Sequence, residues 1–289
     1  LVVGCAVGHL FGLGQKEQKN WSYPSFDIEW KPTSDLNKAS AFSKKYAKVL
    51  KKISKDATTF TVATDYDIEG ELIGLNVLRF ICKQEDGKRM KFSTLTKPDL
   101  IKAYDEAQDH IDWGQAKAGE TRHKLDWYYG INLSRALTSS MKRAGTFKVL
   151  SSGRVQGPAL KIVVDRELDI REFKPTPYWE VEMHGDLSKA SIVANHETDK
   201  FWKEDEALVV MKNTKDKNGV IKDIKKSKFK HKTPFPFDLT TLQTESYRCF
   251  GIAPKDTLAI AQNLYIEGYI SYPRTSSQQL DPKLGFKKI

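Results

Sequence analysis

The strongest constraint on the fold is a short β run that ends in a cluster of carboxylates and continues into an apolar helix. Residues 58–63 are mostly β-branched or aromatic, which is typical of a strand. Asp65, Asp67 and Glu69 follow, and residues 72–81 have the composition of a buried helix. Together they predict an α/β domain with a ligand site at the carboxyl end of a strand.

The spacing of the three carboxylates predicts that they share one ligand. Side chains two residues apart in extended chain point to the same side, so we expect Asp65 and Asp67 to face one target, with Glu69 beside them in the next turn. Like charges this close are costly unless a cation neutralises them, and Mg²⁺ prefers carboxylates and water. An exposed acidic turn at a helix N-terminus explains the same residues equally well.

The charge of the chain points to a polyanionic partner. With 47 Lys and Arg against 37 Asp and Glu, the 289 residues carry a net charge of +10. This balance favours nucleic acid as a partner, although solvated surface lysines account for it as well. A chain of this length is expected to form two or three domains.

Cysteine usage and hydropathy exclude two classes of protein. Cys5, Cys82 and Cys249 are too few for a disulfide framework and too far apart for a zinc knuckle. No apolar run approaches the ~20 residues that a membrane span needs. We therefore expect a cytoplasmic protein without a membrane segment.

The remaining periodicity predicts helices followed by a sheet. Residues 34–53 and 112–170 have helical apolar spacing, the second interrupted by a turn at residues 151–153. From Tyr178 apolar and polar residues alternate, and residues 209–232 mix short Val and Ile runs with lysines. This second part predicts a thin, partly exposed sheet.

Two more helices are predicted after the proline-rich residues 234–237. Asp238 is positioned to cap a helix over residues 239–248. A second helix is expected over residues 254–265, beginning at a proline.

Residues 268–277 (GYISYPRTSS) predict a turn, a short strand and a polar loop. Pro273 holds the preceding Tyr272 extended, so the side chains of Tyr272 and Arg274 are expected on one side. Ionising a phenol at pH 7 costs about 4 kcal/mol, and a neighbouring guanidinium offsets part of that cost. Tyr272 is thus a candidate nucleophile and Arg274 a candidate phosphate clamp. The plainer interpretation is a half-buried aromatic followed by a solvated arginine.

Residues 63–71 (ATDYDIEGE) resemble the Toprim signature shared by topoisomerases, primases and some nucleases. The resemblance implies that the acidic triad holds Mg²⁺ near a phosphodiester. Residues 8–10 (GHL) resemble a segment that in this family follows a first-strand glutamate, which implies a DNA contact for His9. No residue precedes Leu1 to supply that glutamate, so we interpret the chain as a fragment and expect it to cleave DNA poorly.

Residues 242–277 resemble the nucleophile region of type IA DNA topoisomerases. The resemblance implies that Tyr272 attacks phosphorus to form a 5′-phosphotyrosyl ester and that Arg274 steadies the transition state. It also places three polar side chains near the DNA, namely Gln262, Thr275 and Ser276. Tyr265 and Tyr269 are interpreted as packing residues.

Two middle segments resemble the DNA-binding groove of the same family. Residues 125–137 (LDWYYGINLSRAL) suggest its archaeal or topoisomerase III-like branch, and residues 151–160 (SSGRVQGPAL) would by themselves be a phosphate cradle or a generic loop. The implied DNA contacts are Arg122, Asp126, Ser151, Ser152, Gly153, Arg154, Val155 and Gln156. His123 and Arg135 are weaker candidates, for which a core or solvent-facing role fits as well.

The resemblance implies a multidomain fold with α/β, α and β parts that form an incomplete toroid. A Toprim-type α/β domain without its first strand is expected at residues 1–111, and a helical, winged-helix-like DNA-binding domain at residues 112–175. A β arch segment is expected at residues 176–236, and the start of the helical tyrosine-bearing domain at residues 237–289.

The implied function is to relax or decatenate DNA without ATP, by cutting one strand, passing another through the gap and rejoining the first. The cofactor is Mg²⁺, the cleaved strand is single-stranded, and we expect a nucleoid-associated monomer. Two alternatives stay open: a non-catalytic single-strand binding module, which forms no covalent adduct, and a Toprim primase or nuclease, which has no use for Tyr272. The sequence does not identify protein partners or exclude a helicase fusion as in reverse gyrase.

Overall fold

The computed structural model describes residues 1–17, 21–187 and 190–280, which divide between two compact units. The first contains Leu1–Pro158 and the chain from Pro234 onward, and the second contains Ala159–Thr233. The strands are Phe11–Gln15 (β1), Ile28–Pro32 (β2), Thr61–Val62 (β3), Lys88–Arg89 (β4), Glu182–Leu187 (β5) and Ala190–Asn195 (β6). The α-helices are Thr33–Leu36 (α1), Ser43–Ile53 (α2), Ile68–Val77 (α3), Lys97–Asp105 (α4), Trp113–Arg143 (α5), Gln156–Glu172 (α6), Glu204–Thr214 (α7), Leu239–Phe250 (α8) and Pro254–Ile266 (α9).

The acidic turn follows a short parallel strand pair. In β3 and β4, Thr61 pairs with Lys88 and Val62 with Arg89. The other two sheets of the described ranges are antiparallel pairs, β1 with β2 and β5 with β6. Of the strand predicted over residues 58–63, only Thr61 and Val62 are confirmed. Where an open α/β sheet was predicted, the described residues form one parallel pair of strands.

Helix α3 is apolar on several sides because the core surrounds it. Leu72 and Leu75 have no exposed surface, and Leu75 packs on Val62 of β3. On the α5 side, Gly119 lies so close to Ile68 that a Cβ would come within 2.7 Å of the Ile68 carbonyl oxygen. Each buried leucine contributes roughly 1.5–3 kcal/mol of stability. This core fixes the helix whose N-terminus carries the acidic turn.

Helices α5 and α6 confirm the predicted helical region, but not the packing of its apolar faces. On α5, Leu125, Tyr129 and Leu133 are 41–51% exposed. On α6, Leu160 and Val163 are more exposed still. The helical spacing of the apolar residues therefore predicted the helices correctly. It did not predict that these apolar faces are left exposed by the described residues.

In the second unit the predicted sheet is confirmed only in part. Strands β5 and β6 form an antiparallel pair. The predicted sheet over residues 209–232 is wrong, because residues 209–214 belong to α7 and residues 217–232 contain no strand. Acidic residues in the first turn of α7 favour the helix through its dipole and outweigh the β preference of the valines. These residues are Glu204, Asp205 and Glu206.

The two helices predicted after the proline-rich segment are confirmed. The Asp238 carboxylate accepts a 2.7 Å hydrogen bond from the Thr241 amide, and the Asp238 amide donates to the Thr241 hydroxyl at 3.1 Å. Gly251, with φ 67°, ends α8, and Pro254 begins α9. The short strand predicted within residues 268–277 is absent from this described segment. None of the helices in the described ranges has the length and apolar character that a membrane crossing needs.

Candidate active site

Local hydrogen bonds hold the acidic turn in place. Asp67 is the N-cap of α3, and its Oδ1 accepts a 2.7 Å hydrogen bond from the Gly70 amide. Thr64 Oγ1 donates to the Gly70 carbonyl, also at 2.7 Å. Gly70 has to be small, since a Cβ would overlap the backbone carbonyl of Asp65. The positions of Asp65 and Asp67 are therefore set by the fold of the turn itself.

A buried ion pair supports the same turn. Arg89 Nε donates to Glu71 Oε2 at 2.7 Å, and neither side chain has any exposed surface. The Arg89 guanidinium also donates to the carbonyl oxygens of Thr64 and Asp65, each at 2.9 Å. The second oxygen of Glu71 accepts the Asp112 amide at 2.7 Å. Nothing in the spacing of the sequence links Glu71 to Arg89, so this pair could not be predicted from it.

Two tyrosines of α9 and the segment after it face the two aspartates. The Tyr272 hydroxyl donates to Asp67 Oδ2 at 2.5 Å, and the Tyr265 hydroxyl donates to Asp65 Oδ1 at 3.2 Å. The two rings meet edge to face, with centroids 5.2 Å apart. The Tyr272 amide donates to the Ser93 carbonyl at 2.8 Å, which anchors the backbone. The candidate nucleophile and two candidate metal ligands thus share one site.

Burial and negative charge keep Tyr272 protonated in this arrangement. Burial raises the pKa of the Tyr272 phenol far above its ordinary value, and the hydrogen bond to Asp67 raises it further. The positive charge of Arg274 lowers the same pKa, as expected if both side chains lie on one side. Burial also raises the pKa of Asp65, against the hydrogen bond from Tyr265. A cation beside the two carboxylates would favour the ionised form of each group.

The third carboxylate, Glu69, has a different set of partners. Its Oε2 lies 2.9 Å from His9 Nε2 and 2.9 Å from His123 Nε2, and its Oε1 lies 3.2 Å from Arg122 Nη1. Burial by itself would raise the pKa of Glu69, but the hydrogen bonds and charges of the two histidines outweigh it and lower that pKa.

The three carboxylates of the turn therefore do not converge as predicted. In the part of the chain that the structure describes, the group of three whose ligand atoms lie within 4.8 Å of one another is His9, Glu69 and His123. Glu69 belongs to the first turn of α3, where each residue rotates the side chain by about 100°, and there it contacts the two histidines and Arg122. Asp65 and Asp67, which precede the helix, face the two neighbouring tyrosines Tyr265 and Tyr272.

A line of charged side chains leads from Glu69 along α5. Arg122 Nε lies 3.7 Å from Asp126 Oδ2, and Arg154 Nε donates to Asp126 Oδ1 at 2.8 Å. The side chains of Arg122 and Arg154 are 48% and 42% exposed. Both line an open surface groove together with Lys117. The structure thus brings three of the predicted DNA-contact residues together, with two cations open to solvent.

The predicted phosphate loop is bound to α5. The Ser152 amide donates to Ser134 Oγ at 3.0 Å, and the same hydroxyl donates to the Ser152 carbonyl at 3.3 Å. The buried Thr138 hydroxyl makes the same two bonds with the backbone of Leu150. The other predicted residues of this segment are Ser151, Gly153, Val155 and Gln156. The loop leads directly into α6, as predicted.

The three remaining predicted DNA contacts belong to α9 and to the segment that follows Tyr272. Gln262 is on α9, next to the buried Ala261. The Thr275 carbonyl accepts the Leu239 amide at 3.0 Å, which ties the tyrosine segment to the start of α8. Ser276 is exposed.

The two tyrosines predicted to pack and the weaker DNA-contact candidate Arg135 have different surroundings. Tyr265 is buried, as a packing residue should be, but its hydroxyl also contacts Asp65. Tyr269 is 73% exposed, so its predicted packing role is wrong. Arg135 Nη1 donates to the Ser22 carbonyl at 2.7 Å, which favours the structural role.

Comparison with known proteins decides the family. Residues 110–289 match the DNA topoisomerase family, and residues 7–95 match the Toprim domain. The chain belongs to the type IA DNA topoisomerase family. Both matches agree with the order of the motifs predicted from the sequence.

Relatives in the type IA family match nearly all of this chain. DNA topoisomerase 1 of Methanocaldococcus jannaschii is 52% identical over 97% of this chain and 36% of that protein. DNA topoisomerase 1 of Pyrococcus horikoshii is 45% identical over 100% of this chain and 42% of that protein. Both proteins are archaeal, in agreement with the resemblance of residues 125–137 in α5. The chain therefore spans less than half the length of these relatives.

A solved type IA topoisomerase shares the fold. Full-length topoisomerase I from Thermotoga maritima matches 96% of this chain and 46% of its own, with a TM-score of 0.70 at 25% identity. This likeness supports the multidomain α/β fold.

The residues near Tyr272 fit the Mg²⁺ that Toprim domains are associated with. Asp65 and Asp67 offer hard oxygen donors, which Mg²⁺ prefers together with water. Burial raises the pKa of Asp65 and the neighbouring Asp67 carboxylate raises it further, and a bound cation would offset both effects.

Proposed function

We propose that the chain provides the nucleophile and part of the DNA groove of a topoisomerase that cuts one DNA strand through a 5′-phosphotyrosyl intermediate. The observation that supports this best is the hydrogen bond from Tyr272 to Asp67. It joins the proposed nucleophile to the acidic turn across 205 residues. Membership of the family indicates topoisomerase activity. The contact with Asp67 is the reason to propose Tyr272 as the nucleophile.

The cleavage step exchanges one phosphodiester for another. Tyr272 Oη attacks phosphorus, the Oη–P bond forms, and the bond from phosphorus to the 3′ oxygen breaks. The phenolic proton passes to Asp67 and from there to solvent, and the leaving 3′ oxygen takes a proton from water to become a 3′ hydroxyl. Arg274 stabilises the charge that develops on the phosphate. The reverse reaction rejoins the strand, so relaxation or decatenation requires no ATP.

The proposed Mg²⁺ ligands are Asp65 and Asp67, which face one site, and Glu69, whose side chain would have to turn toward them from the two histidines. When bound, the ion neutralises the carboxylates and polarises the phosphodiester. Glu71 and Arg89 take no part in the chemistry; they hold the backbone of Asp65 where the ligand is needed.

We propose that the cleaved strand is single-stranded and follows the basic groove beside α5. Arg122 and Arg154 would bind its phosphates, with Asp126 orienting both guanidinium groups. Further proposed contacts are His9, Ser151, Ser152, Gly153, Val155, Gln156, Gln262, Thr275 and Ser276. We expect the protein to act as a nucleoid-associated monomer.

The domain division predicted from the sequence stands as part of the proposal. It assigns residues 1–111 to the Toprim domain, residues 112–175 to a winged-helix-like domain, residues 176–236 to a β arch segment and residues 237–289 to the tyrosine-bearing domain. These parts would belong to a toroid that the chain forms only in part. That the chain by itself cleaves DNA poorly also stays a prediction.

A covalent-adduct assay tests the proposal. Single-stranded oligonucleotides labelled at the 5′ or the 3′ end are incubated with the protein and Mg²⁺ and denatured in SDS. We expect an adduct that keeps the 3′ label, present in Tyr269→Phe and absent in Tyr272→Phe. Tyr269 is a matched control, because it is a nearby but exposed tyrosine.

The two other function classes predict different results. A single-strand binding module would bind the oligonucleotide in a salt-dependent way without any adduct. A Toprim primase or nuclease would keep its activity in Tyr272→Phe. Because the chain spans less than half of its relatives, the assay is run on it and on the full-length protein.

A further inference from the structure

We infer that His9, His123 and Glu69 form a site for a borderline transition metal such as Zn²⁺ or Co²⁺, separate in chemistry from the Mg²⁺ site. The two imidazole Nε2 atoms both lie 2.9 Å from one oxygen, Glu69 Oε2. All three ligand atoms lie within 4.8 Å of one another. Two histidines and one glutamate are a ligand set that zinc enzymes use.

The spacing of these atoms suits a tetrahedral ion. Metal–ligand bonds of about 2.0–2.1 Å place tetrahedral ligands roughly 3.3–3.4 Å apart. Rotation of the side chains would lengthen the two Nε2–Oε2 distances by a few tenths of an ångström and bring the two Nε2 atoms, which lie within 4.8 Å of each other, to a similar separation. The three side chains are each 27% exposed, so an ion can reach them.

The fold holds both histidines near this point before any ion binds. Their rings lie 4.8 Å apart, and Trp30 lies 5.9 Å from the His123 ring. In the metal-free arrangement each Nε2–H donates to Glu69. Metal binding moves each proton to Nδ1. In His9 that atom is buried without a partner, so we expect weaker binding than at a structural zinc site.

The ligand chemistry separates this site from the acidic turn. Imidazole suits Zn²⁺ and Co²⁺, whereas Mg²⁺ prefers oxygen ligands and water. Glu69 belongs to both sets, so the borderline ion would remove it from Mg²⁺ and inhibit DNA cleavage. This consequence rests on the proposed function, whereas binding of the ion does not.

Cobalt absorption tests the site without any DNA. The EDTA-treated protein is titrated with Co²⁺ and its visible d–d absorption is recorded with excess Mg²⁺ present. We expect a saturable band that His9→Gln, His123→Gln and Glu69→Gln each weaken at least tenfold in apparent affinity. Glutamine keeps a hydrogen bond to Glu69 while removing the imidazole, so the histidine variants should fold, which circular dichroism checks. His110→Gln, which alters an exposed histidine paired with Asp86, should leave the band unchanged.

Three results would overturn the inference. One is the absence of a saturable band, and the second is a band that survives in both histidine variants. The third is a thiolate charge-transfer band, which would assign the ion to a cysteine such as the exposed Cys5 or Cys249. The adduct assay does not enter this test, so failure of the proposed cleavage chemistry and failure of the metal site are distinguishable.

Discussion

The Tyr272 hydroxyl donates a 2.5 Å hydrogen bond to Asp67, which is also the residue that caps α3. One carboxylate therefore has two functions. Its Oδ1 holds the helix N-terminus through the Gly70 amide, and its Oδ2 holds the proposed nucleophile. Substitutions at Asp67 can separate these functions.

Asp67→Asn and Asp67→Ala should differ in stability but agree in activity. Asparagine keeps an N-cap oxygen, whereas alanine removes the cap and should cost about 0.5–2 kcal/mol in the free energy of unfolding. Both variants lose the carboxylate, so both should lose the covalent adduct with DNA. Urea unfolding and the adduct assay measure the two effects. Equal stability of the two variants would contradict the assigned cap.

Arg89→Met should strongly destabilise the first unit. It leaves Glu71 buried without its charge partner, which typically costs about 3–5 kcal/mol. The double variant Arg89→Met with Glu71→Leu removes both charges and should lose less than the sum of the single variants. Chemical denaturation of the four proteins gives the coupling free energy. Additive effects would show that the two side chains do not act as a pair.

Gly70→Ala should destabilise the acidic turn. The new methyl group would overlap the Asp65 carbonyl, and forced overpacking of this kind costs roughly 1–3 kcal/mol. Gly185→Ala is a matched control, because nothing lies within 4 Å of a Cβ at that position. Thermal unfolding should show a lower Tm for Gly70→Ala only.

Asp112 should stabilise the protein in a pH-dependent way. The hydrogen bond from the Gln115 amide, followed by the contacts with Lys91, holds the pKa of Asp112 below its ordinary value. The folded state therefore favours the ionised carboxylate. This contribution is fully present above the ordinary carboxylate pKa of about 3.9 and is lost as the pH falls through the lower folded value. The stability difference between wild type and Asp112→Ala should shrink below about pH 4, and a difference that grows there would contradict the assignment.

Arg154→Ala should weaken binding of single-stranded DNA without regard to its sequence. Removing one phosphate contact should reduce the slope of log K against log salt by about 0.7. Arg248→Ala removes an exposed arginine that pairs with Glu245 and should leave the slope unchanged. Fluorescence anisotropy at several salt concentrations measures both. Equal slopes in wild type and Arg154→Ala would exclude this phosphate contact.

Local patterns predicted the local structure well. The cap at Asp238, the proline at the start of α9 and the turn between β3 and α3 all follow from residues within a few positions of one another. The exceptions are the short strand predicted within residues 268–277, which is absent from these described residues, and α7, where paired valines suggested a strand. In α7 the acidic residues of the first turn favour a helix. The spacing of the apolar residues does not show whether this effect exceeds the β preference of the valines.

Contacts between distant residues could not be predicted from spacing. Glu71 and Arg89 look like ordinary charged residues in the sequence, and only the fold makes them a buried pair. His9 and His123 approach Glu69 from different segments, and Tyr265 reaches Asp65 across 200 residues. The family resemblance indicated the acidic turn and Tyr272 separately, and the structure brings them together.

Peptide mapping of the covalent adduct tests the central claim most directly. The protein is reacted with an oligonucleotide, digested with trypsin and nuclease, and the residue that carries the nucleotide is located by tandem mass spectrometry. We expect the 5′-phosphate on Tyr272, the tyrosine beside Asp67. A nucleotide on Tyr265, Tyr269 or a residue outside this segment would contradict the account.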